Sequence, residues 1–407
     1  MDLTYPGPSP CDTLQGCIDA EPCNGGVVEI ASDEPISEAI SFEKGLTLRA
    51  APGFHPVLTA ALTAATPTDP NGKAGYQTDL EGLTFEGDGV VLVVQQSPSA
   101  LSVELANDVF TSGSTGIVAV RLTGSGGPIA FDVSGNSVGV PDSGTGIEAS
   151  DLPSGSSGRI ADNTLMVAGL GHGILLEEAM GSSWSADVVA NRVTGSQYTL
   201  GIYVLSTSSQ SSVTARLLDN LVVGEASAES LSGAIVFQAL GPIDATVVNN
   251  TVTANQVGVR AQAFFSADTL SGTLANNIVS GSSDVGISID AAFASTFANR
   301  NNLVFGGQQS FTPGPGTLIA DPLFVGNGDY HLQAGSPAVD AGDDSAVPGD
   351  LLTDLDGSPR VRGKHVDMGA YETAPEPDAR MLAVTAIAAL YGVVAREAAR
   401  SRALRAA

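Results

Sequence analysis

Basic residues are scarce in this chain. It has 17 Lys and Arg against 44 Asp and Glu, a formal net charge of −27, and Lys44, Lys73 and Lys364 are its only lysines. Five of the basic residues fall between Arg380 and Arg405, so the rest of the chain is more acidic still. A body with this charge repels nucleic acid and anionic membrane surfaces, so we expect neither as its partner. Polyanionic substrates would be repelled as well, unless calcium intervened.

Cysteine is also rare, and the given sequence does not open on a hydrophobic leader. The cysteines are Cys11, Cys17 and Cys23, spaced more widely than the pairs that hold zinc, so no metal site is predicted. One disulfide with a leftover thiol and a set of buried thiols both remain open. Residues 1–6 lack the basic start and apolar stretch of a signal peptide. We therefore expect export by another route, or a true start upstream of the given one.

Helical periodicity is missing from the body of the chain, and aromatic residues make up only 5% of it. What is present is alternation of apolar and polar residues with many β-branched side chains, as at Ile129/Phe131/Val133. Gly, Ser, Asn and Asp bound these stretches, which is the pattern of short β-strands separated by turns. The 48 glycines suit a narrow core with many turns.

An Asn followed two residues later by an aliphatic residue recurs at intervals of 25 to 30 residues. The eight copies are Asn107, Asn136, Asn163, Asn191, Asn220, Asn250, Asn277 and Asn302. A fixed period of this size indicates one supersecondary unit stacked on copies of itself. Asn tolerates the left-handed backbone of a sharp corner, and stacked amides can hydrogen-bond from coil to coil. We therefore predict an Asn ladder along one corner.

A second marker, Gly followed by an aliphatic residue, keeps step with the first. It occurs at Gly116-Ile117, Gly146-Ile147, Gly173-Ile174, Gly201-Ile202, Gly258-Val259 and Gly286-Ile287, with Gly233-Ala234-Ile235 as a slipped copy. Each repeat then holds about three strands, which predicts an all-β, single-stranded right-handed parallel β-helix. About ten coils at ~4.8 Å each give a rod on the order of 50 Å long. A β-propeller fits less well, because its blades need about 40 to 50 residues.

The two ends of the chain differ from the repeats. Leu14, Cys17 and Ile18 share one face of a short predicted helix with Asp12 as its N-cap, which would cover the first coil. We divide the chain into an N-terminal cap (1–25), β-helix coils (26–320), a C-terminal capping block (321–372) and a hydrophobic helical segment with a basic tail (373–407). A solenoid grows along one axis and stays one unit, and we expect a monomer.

The C-terminal block has the most distinctive motifs. They are Asp321-Pro322-Leu323-Phe324, Gly328-Asp329-Tyr330-His331-Leu332, Gly335-Ser336-Pro337-Ala338, Val339-Asp340-Ala341-Gly342, Asp354-Leu355-Asp356-Gly357-Ser358-Pro359-Arg360 and Val366-Asp367-Met368-Gly369-Ala370-Tyr371-Glu372. With the repeats, this block resembles the exported bacterial right-handed β-helix proteins called choice-of-anchor Q proteins. The resemblance covers residues 11–372 and implies an extracellular or cell-surface location. It leaves the biochemical activity undefined.

The tail fits the same pattern. Pro375-Glu376-Pro377 is followed by an apolar run, Met381 to Ala395, and then by four arginines. This order resembles the Pro-Glu-Pro (PEP-CTERM) sorting signals of Gram-negative bacteria, which implies a membrane anchor or a sorting segment. The run is short for a bilayer, about 22 Å against a ~30 Å core. Arg snorkelling would help it to span, and a docked helix is the alternative.

No complete catalytic set is visible. Gly171-His172-Gly173 is similar to one element of polygalacturonases, but the partner motifs are absent. A lyase needs a basic residue, for which only Arg192 and Arg260 are candidates. A glycosidase needs two facing carboxylates, and Glu148, Glu177, Glu178, Asp187 and Asp290 are available without a clear pair. Asp354 and Asp356 lack full calcium-loop spacing, so we predict no metal and no cofactor, with calcium as the one open possibility.

A row of outward positions is more informative. If the aliphatic residue of each Gly marker points inward, the next residue points out. The row is Val118, Glu148, Leu175, Tyr203, Val236, Arg260 and Ser288, and it is unusually apolar for a solvated face. Either neighbouring loops, such as the one near Trp184, cover it, or it is a contact surface. On the second interpretation the ligand-binding residues are Tyr203, Trp184, Glu148, Glu177 and Arg260.

Two functions follow. The first is a non-catalytic, exported and surface-tethered rod that displays a face for polysaccharide or another cell-envelope component. The second is a polysaccharide lyase or glycoside hydrolase of the β-helix type. An enzyme should bring perturbed carboxylates or a basic residue together across adjacent coils, whereas a display protein should not. The sequence favours the first.

Overall fold

The computed structural model describes residues 3–22, 24–66, 75–87, 91–96, 98–111, 118–178, 181–195, 200–224, 233–253, 256–263, 270–290 and 295–373. Within these residues the chain winds into an all-β parallel solenoid, which confirms the predicted fold class. Each coil contributes one strand to each of three parallel sheets, called sheets A, B and C. Cys23, the Gly116-Ile117 marker and the hydrophobic segment after Thr373 lie outside the described residues.

The three sheets run to twelve, eleven and eleven strands among the described residues, close to the ten coils predicted. Sheet A contains Leu3–Tyr5, Gly26–Ile30, Leu46–Ala50, Tyr76–Glu81, Leu101–Ala106, Ile129–Ser134, Ser157–Ala161, Ser183–Val189, Ser212–Leu218, Ile243–Val248, Leu270–Ala275 and Ser295–Arg300. Sheet B contains Val57–Leu58, Thr84–Phe85, Val109–Phe110, Ser137–Val140, Thr164–Val167, Arg192–Gly195, Leu221–Val223, Thr251–Thr253, Ile278–Ser280, Leu303–Phe305 and Leu318–Ile319. Sheet C contains Ile40–Glu43, Leu62–Ala65, Val91–Gln95, Val118–Gly124, Thr145–Ser150, His172–Glu178, Leu200–Ser206, Gly233–Ala239, Val257–Ala263, Val285–Ile289 and Gln308–Ser310.

The core is built from stacked rows of inward side chains. In sheet A, Leu105 pairs in register with Val133, and Val133 with Ile160, and all three are buried. In sheet B, the rings of Phe85 and Phe110 stack with centroids 4.8 Å apart. Alternation along each strand therefore becomes a continuous apolar column along the rod. One contiguous core results, as the period predicts.

A ladder of buried amides follows the corner between sheets A and B. Each Nδ2 before the last donates to the Oδ1 of the Asn one coil further on, at 2.9–3.0 Å, and to a backbone carbonyl of the preceding coil, at 2.8–3.0 Å. Asn302 ends the ladder: its Nδ2 donates to the carbonyl of Leu274 at 2.8 Å and to Asn299 Oδ1 at 3.0 Å. The members are Asn136, Asn163, Asn191, Asn220, Asn250, Asn277 and Asn302. Because every member is satisfied on both sides, the polar row is compatible with full burial.

The predicted first member, Asn107, is not the residue that occupies this position. Asp108 stands there instead: its backbone N–H donates to Asn136 Oδ1 at 2.8 Å, and its own Oδ1 accepts from the N–H of Leu83 at 2.8 Å. Asn107 has a φ of 58°, and in each later coil the residue before the ladder Asn has a similar positive φ. The residue with the left-handed backbone and the ladder residue are thus consecutive in each coil. The sequence prediction had assigned both roles to one Asn.

The N-terminal helix spans Leu14–Ala20 and buries Leu14, Cys17 and Ile18, the face that the sequence predicted. Its N-cap is Thr13 rather than Asp12, because Thr13 Oγ1 accepts from the N–H of Gly16 at 3.0 Å. A disulfide joins Cys11 to Cys17. Of the two states that the spacing left open, the disulfide is therefore the one present. None of the helices among the described residues is long and apolar enough to cross a membrane.

The C-terminal block, residues 321–373, lies along the side of the solenoid. It contains an antiparallel hairpin, Phe324–Gly326 with Asp329–Leu332, and a 3-10 turn at Asp344–Ala346. Apolar contacts attach it: Leu351 packs against Leu218 and Val248, while Leu355 and Tyr371 pack against Leu221. The block therefore covers the corner between sheets A and B instead of only closing the last coil.

Candidate functional site

The Gly markers set the geometry of sheet C. A Cβ at Gly201 would lie 2.4 Å from Val222 Cγ1, and one at Gly173 would lie 2.7 Å from Val193 Cγ1. The corner between sheets B and C is therefore too tight for a side chain at these positions. The residues that follow, such as Ile174 and Ile202, are buried in the core, as predicted.

The next position in each coil forms an outward row. The register of sheet C aligns Arg121, Glu148, Leu175, Tyr203, Val236, Arg260 and Ser288. Six of the seven predicted members are correct. Val118 is wrong, because Val120 pairs with Ile147, and Arg121 is therefore the residue opposite Glu148.

Glu148 is the central charged residue of this row. Its Oε1 lies 2.7 Å from Arg121 Nη2 and accepts a hydrogen bond from Ser150 Oγ at 2.8 Å. The residue is only 4% exposed, whereas the Arg121 side chain is about half exposed. The guanidinium and the hydroxyl thus supply the buried Glu148 side chain with hydrogen-bond donors.

Glu177 lies one coil further on and one outward position along, opposite Ser150 in the register. Burial raises the pKa of Glu177, and the negative charges of Asp151, Glu148 and Glu178 add to this, while Arg121 opposes it. Two carboxyl groups on adjacent coils thus have different surroundings: Glu148 is paired with Arg121, and burial disfavours the charged form of Glu177.

An aromatic pair lies beside the carboxyl groups. The rings of His172 and Tyr203 have centroids 5.7 Å apart, and the Tyr203 hydroxyl donates to Gln238 Oε1. Burial lowers the pKa of His172 against the opposing charge of Glu148. Burial also raises the pKa of Tyr203 to about 12, with Glu177 adding to the shift. Both rings are therefore uncharged at neutral pH, so the pair offers an apolar face with polar edges.

The structure brings together some of the predicted ligand-binding residues and not others. Glu148, Glu177 and Tyr203 lie together on the outer face of sheet C. Arg260 is in the same row, two strands beyond Tyr203, or about 10 Å along the rod. Leu175 and Val236, between the polar members, are 8% and 4% exposed. The apolar members of the row are therefore buried, whereas Tyr203 and Arg260 are partly exposed.

Trp184 does not belong to this face, and the prediction that it contacts a ligand is wrong. Alternation along Ser183–Val189 turns it inward in sheet A, where it is 4% exposed. Its Nε1–H donates to Glu178 Oε2 at 2.8 Å. An indole N–H buried in a core needs an acceptor, and the inward-facing Glu178 supplies it.

The sequence missed Arg121, His172 and Gln238 as members of the site. Arg121 could have been found from the alternation of Val120 and Leu122, which marks the true inward positions of its strand. His172 was set aside as a coincidental motif, since Gly173 is explained by the repeat. Gln238 has no sequence signal, because its role depends on the hydroxyl of Tyr203 one coil away.

The remaining candidates lie elsewhere. Asp187 pairs with Arg216 at 3.0 Å on sheet A, and Arg192 pairs with Asp356 of the C-terminal block at 2.8 Å. Asp290 follows the strand Val285–Ile289 near the end of sheet C. Asp354 accepts backbone N–H bonds from Asp356, Ser358 and Glu372, as a turn residue does. Within the described residues, no group of three or more His, Cys, Asp or Glu side chains is arranged to hold a metal ion.

A second concave region lies between sheet A and the C-terminal block. This groove, of about 490 Å³, is lined by Arg159, Arg216 and several aspartates. Arg216 bonds Asp187 at 3.0 Å and Asp350 at 2.6 Å, and Arg159 lies 3.2 Å from Asp162. Its arginines are engaged by the aspartates of its own walls. The groove is thus lined by ion pairs, one of which joins the block to the solenoid.

Comparison with known proteins adds little beyond the fold. Residues 170–304 match a family described as a protein of unknown function, DUF1565. The structure is similar to a pectate lyase, Pel9A, with a TM-score of 0.49 and 10% identity, over 91% of this chain and 95% of that one. It is also similar to a PL6-family alginate lyase, AlyGC, with a TM-score of 0.38 and 12% identity, over 86% and 58%. None of the curated proteins matches the sequence. At these values the likenesses say nothing about activity.

Proposed function

We propose that this chain is an exported carbohydrate-binding rod whose site is the outer face of sheet C. The observation that carries the proposal is the uncharged His172/Tyr203 pair beside the Glu148–Arg121 ion pair. A sugar presents apolar C–H faces and polar hydroxyls together. An aromatic face flanked by carboxylate, guanidinium and amide groups complements both, and few such groups suffice to orient a ligand.

The location outside the cytoplasm is part of the same proposal. The Cys11–Cys17 disulfide supports it, because such bonds persist in oxidising compartments. The resemblance of the tail to Pro-Glu-Pro sorting signals adds tethering to a membrane or cell envelope. Membrane fractionation of the full chain and of a chain without residues 375–407 tests this part. If both chains have the same soluble fraction, the membrane anchor is ruled out.

Binding is tested by a glycan array followed by titration of each positive glycan. Tyr203→Ala should weaken binding about tenfold or more, because the stacking face is removed, while Tyr203→Phe keeps the ring and loses only the bond to Gln238. Met166→Ala, which alters an exposed residue of sheet B, is the matched control and should change neither binding nor melting temperature. Full binding by Tyr203→Ala would exclude this face as the site.

Hydrolysis of a glycosidic bond is the second candidate. The observation that favours it is the pairing of Glu177, whose pKa is raised, with Glu148, which is held by Arg121. A carboxyl group of raised pKa such as Glu177 suits a general acid, and a second carboxylate on the same face could serve as base or nucleophile. A lyase is less well supported, because the raised pKa of Tyr203 keeps its phenol protonated at neutral pH.

A reducing-sugar assay and an ultraviolet assay for unsaturated products, on one polysaccharide panel, separate these outcomes. Hydrolysis should produce reducing ends without ultraviolet absorbance. Glu177→Gln and Glu148→Gln should each abolish it while binding persists. Binding without either product supports the display protein and removes the enzyme.

A further inference from the structure

Arginines of the solenoid hold the C-terminal block from outside. The three pairs are Arg192–Asp356 at 2.8 Å, Arg216–Asp350 at 2.6 Å and Arg300–Asp343 at 2.5 Å. All of these side chains are between about a quarter and two thirds exposed. Pairs in such positions are screened by water and contribute little individually. The attachment of the block therefore depends mainly on buried contacts between the block and the solenoid.

A fourth pair runs in the opposite direction and is buried. Arg360 of the block reaches into the corner of the solenoid, where its Nη1 lies 2.7 Å from Asp219 Oδ1. Its Nη2 lies 2.6 Å from Oε1 of Glu372, also of the block. All three side chains are 2% exposed or less. This is the one point at which a charge of the solenoid and charges of the block share a dry site, among the described residues.

Two further carboxyl groups face this cluster. Asp354 accepts backbone N–H bonds from Asp356, Ser358 and Glu372. Asp367 accepts from the backbone N–H groups of Asp340 and Thr373. Both are thus satisfied within the block. Asp219 and Glu372 are not: Asp219 Oδ2 and Glu372 Oε2 are buried and have no hydrogen-bond partner.

The charges of the cluster do not balance unless a proton is present. One guanidinium contacts two carboxyl groups, and a second uncompensated negative charge in a dry site is costly. Burial raises the pKa of Asp219 to about 8, although Arg360 opposes the shift, and Asp354 and Glu372 reinforce it. Burial raises the pKa of Glu372 to about 7, opposed by Arg360 and reinforced by the charge of Asp367.

We propose that the C-terminal block is a proton-dependent clasp, closed while Asp219 and Glu372 hold one proton around Arg360 and loosened when that proton leaves. Both carboxyl groups bind protons more tightly in the folded chain than in the unfolded one. Their stabilisation is therefore complete below the unfolded values, near 4, and is lost as the pH rises through about 7 to 8.

The exposed ion pairs limit the stability of the block at acid pH. The pKa of Asp343 is lowered by its bond to Ser345 and by Arg300, and that of Asp350 by its bond to Arg216. Stabilisation by these groups is lost as the pH falls below their ordinary range. The block is thus held most firmly at mildly acidic pH. The block covers Leu218, Leu221 and Ile278, so its opening at alkaline pH would expose them.

Hydrogen–deuterium exchange of the full chain between pH 5.5 and 8.5, corrected for intrinsic exchange, tests the clasp. The corrected exchange rate of peptides spanning 358–373 should increase with pH, by up to about tenfold per pH unit. Peptides from sheets A and C should keep their protection. Glu372→Gln, which keeps the acceptor Oε1 and cannot ionise, should reduce the dependence, because it removes one of the two carboxyl groups that share the proton. No rise in the wild-type chain, or an undiminished rise in Glu372→Gln, would overturn the proposal.

His331→Gln is the matched control, because this residue also titrates on the block but lies at its surface. The rise in peptides 358–373 should persist in that variant. Its disappearance would assign the effect to the imidazole and overturn the clasp. Asp350→Asn, which removes an exposed carboxylate, should leave the alkaline rise unchanged. A loss of the rise in that variant would count against the buried cluster.

Discussion

Asn249 and Asn250 are consecutive in the chain, yet their side chains bind different parts of the molecule. Asn249 Nδ2 donates to the carbonyl of Asp367 in the C-terminal block at 2.9 Å. Asn250 Nδ2 donates to Asn277 Oδ1 within the solenoid at 3.0 Å. Asn249 has the left-handed φ of 58° that turns the corner. One dipeptide thus both continues the ladder and docks the block.

The same division recurs in the neighbouring coils. Asn276 donates to the carbonyl of Asp343 at 3.1 Å, and Asn301 to that of Ala341 at 3.0 Å, while the following Asn in each coil belongs to the ladder. The Asn-Asn doublets thus occupy three successive coils whose corner the block covers. In an earlier coil the equivalent left-handed residue is Ala190, which carries no side-chain donor.

Substituting the two asparagines separately should give two phenotypes. Asn250→Ala leaves several buried groups unsatisfied and should lower the free energy of unfolding by at least about 3 kcal/mol. Asn249→Ala should lower the free energy of unfolding by about 1 kcal/mol, and its main effect should be faster hydrogen exchange in the block. Urea denaturation and exchange mass spectrometry measure both. Asn24→Ala, an exposed amide, is the control, and equal losses in the two variants would contradict the division.

Much of the fold was predictable because its determinants are local and periodic. The 25- to 30-residue spacing and the alternation around Ile129 and Val213 depend only on neighbouring residues and on the coil above. The ladder was misplaced by one residue at Asn107 because Asn suits both the left-handed corner and the ladder. In the Asn-Asn doublets the two roles cannot be separated by residue type alone.

Gly201 should be intolerant of a side chain. A Cβ there would lie 2.4 Å from Val222 Cγ1 and 2.6 Å from the carbonyl oxygen of Ala234. Gly201→Ala should therefore lower the free energy of unfolding by about 1–3 kcal/mol, measured by urea denaturation. Gly335→Ala is the control, since nothing lies within 4 Å of that site. Stability equal to that of the control would show that the corner can relax.

Trp184 should act on stability and not on ligand binding. Trp184→Phe removes the N–H that Glu178 accepts in the core, at a cost of about 1–3 kcal/mol. Because this is the one Trp of the chain, its fluorescence also reports directly on that core. Tyr203→Ala should show the reverse: weaker glycan binding at an unchanged melting temperature. Weakened glycan binding by Trp184→Phe would restore it as a contact residue.

The candidate site was only partly predictable, since it depends on which face each side chain takes. Glu148 and Tyr203 followed from counting outward from a marker, which works while the strand register holds, whereas Glu177 was named only as one of several available carboxylates. Trp184 was assigned to the outside from its position between strands, whereas its own strand turns it inward. The buried contact between Arg360 and Asp219 spans 141 residues of sequence, and no local pattern indicates it.

His331 provides a pH-dependent test at the surface of the block. Its Nδ1 lies 2.6 Å from Asp329 Oδ1 and its Nε2 2.7 Å from Asp356 Oδ2, so only the protonated ring donates to both. Burial alone would lower the pKa of His331, but the bonds to the two aspartates outweigh it and raise the pKa above its ordinary 6.5. This stabilisation is therefore fully present below pH 6.5 and is lost as the pH rises through the higher folded value.

Titration of the His331 imidazole by NMR should thus give a midpoint above 6.5. Asp356→Asn should lower that midpoint, because the ring then loses one of its two carboxylate acceptors. Asp350→Asn should leave it unchanged, since that carboxylate contacts Arg216 and not the ring. A midpoint that is the same in the Asp356 and Asp350 variants would mean that the bond to Asp356 does not form in solution. The hairpin would then be held to the solenoid by its apolar contacts, such as those of Leu332 in the cluster with Ile278 and Leu303.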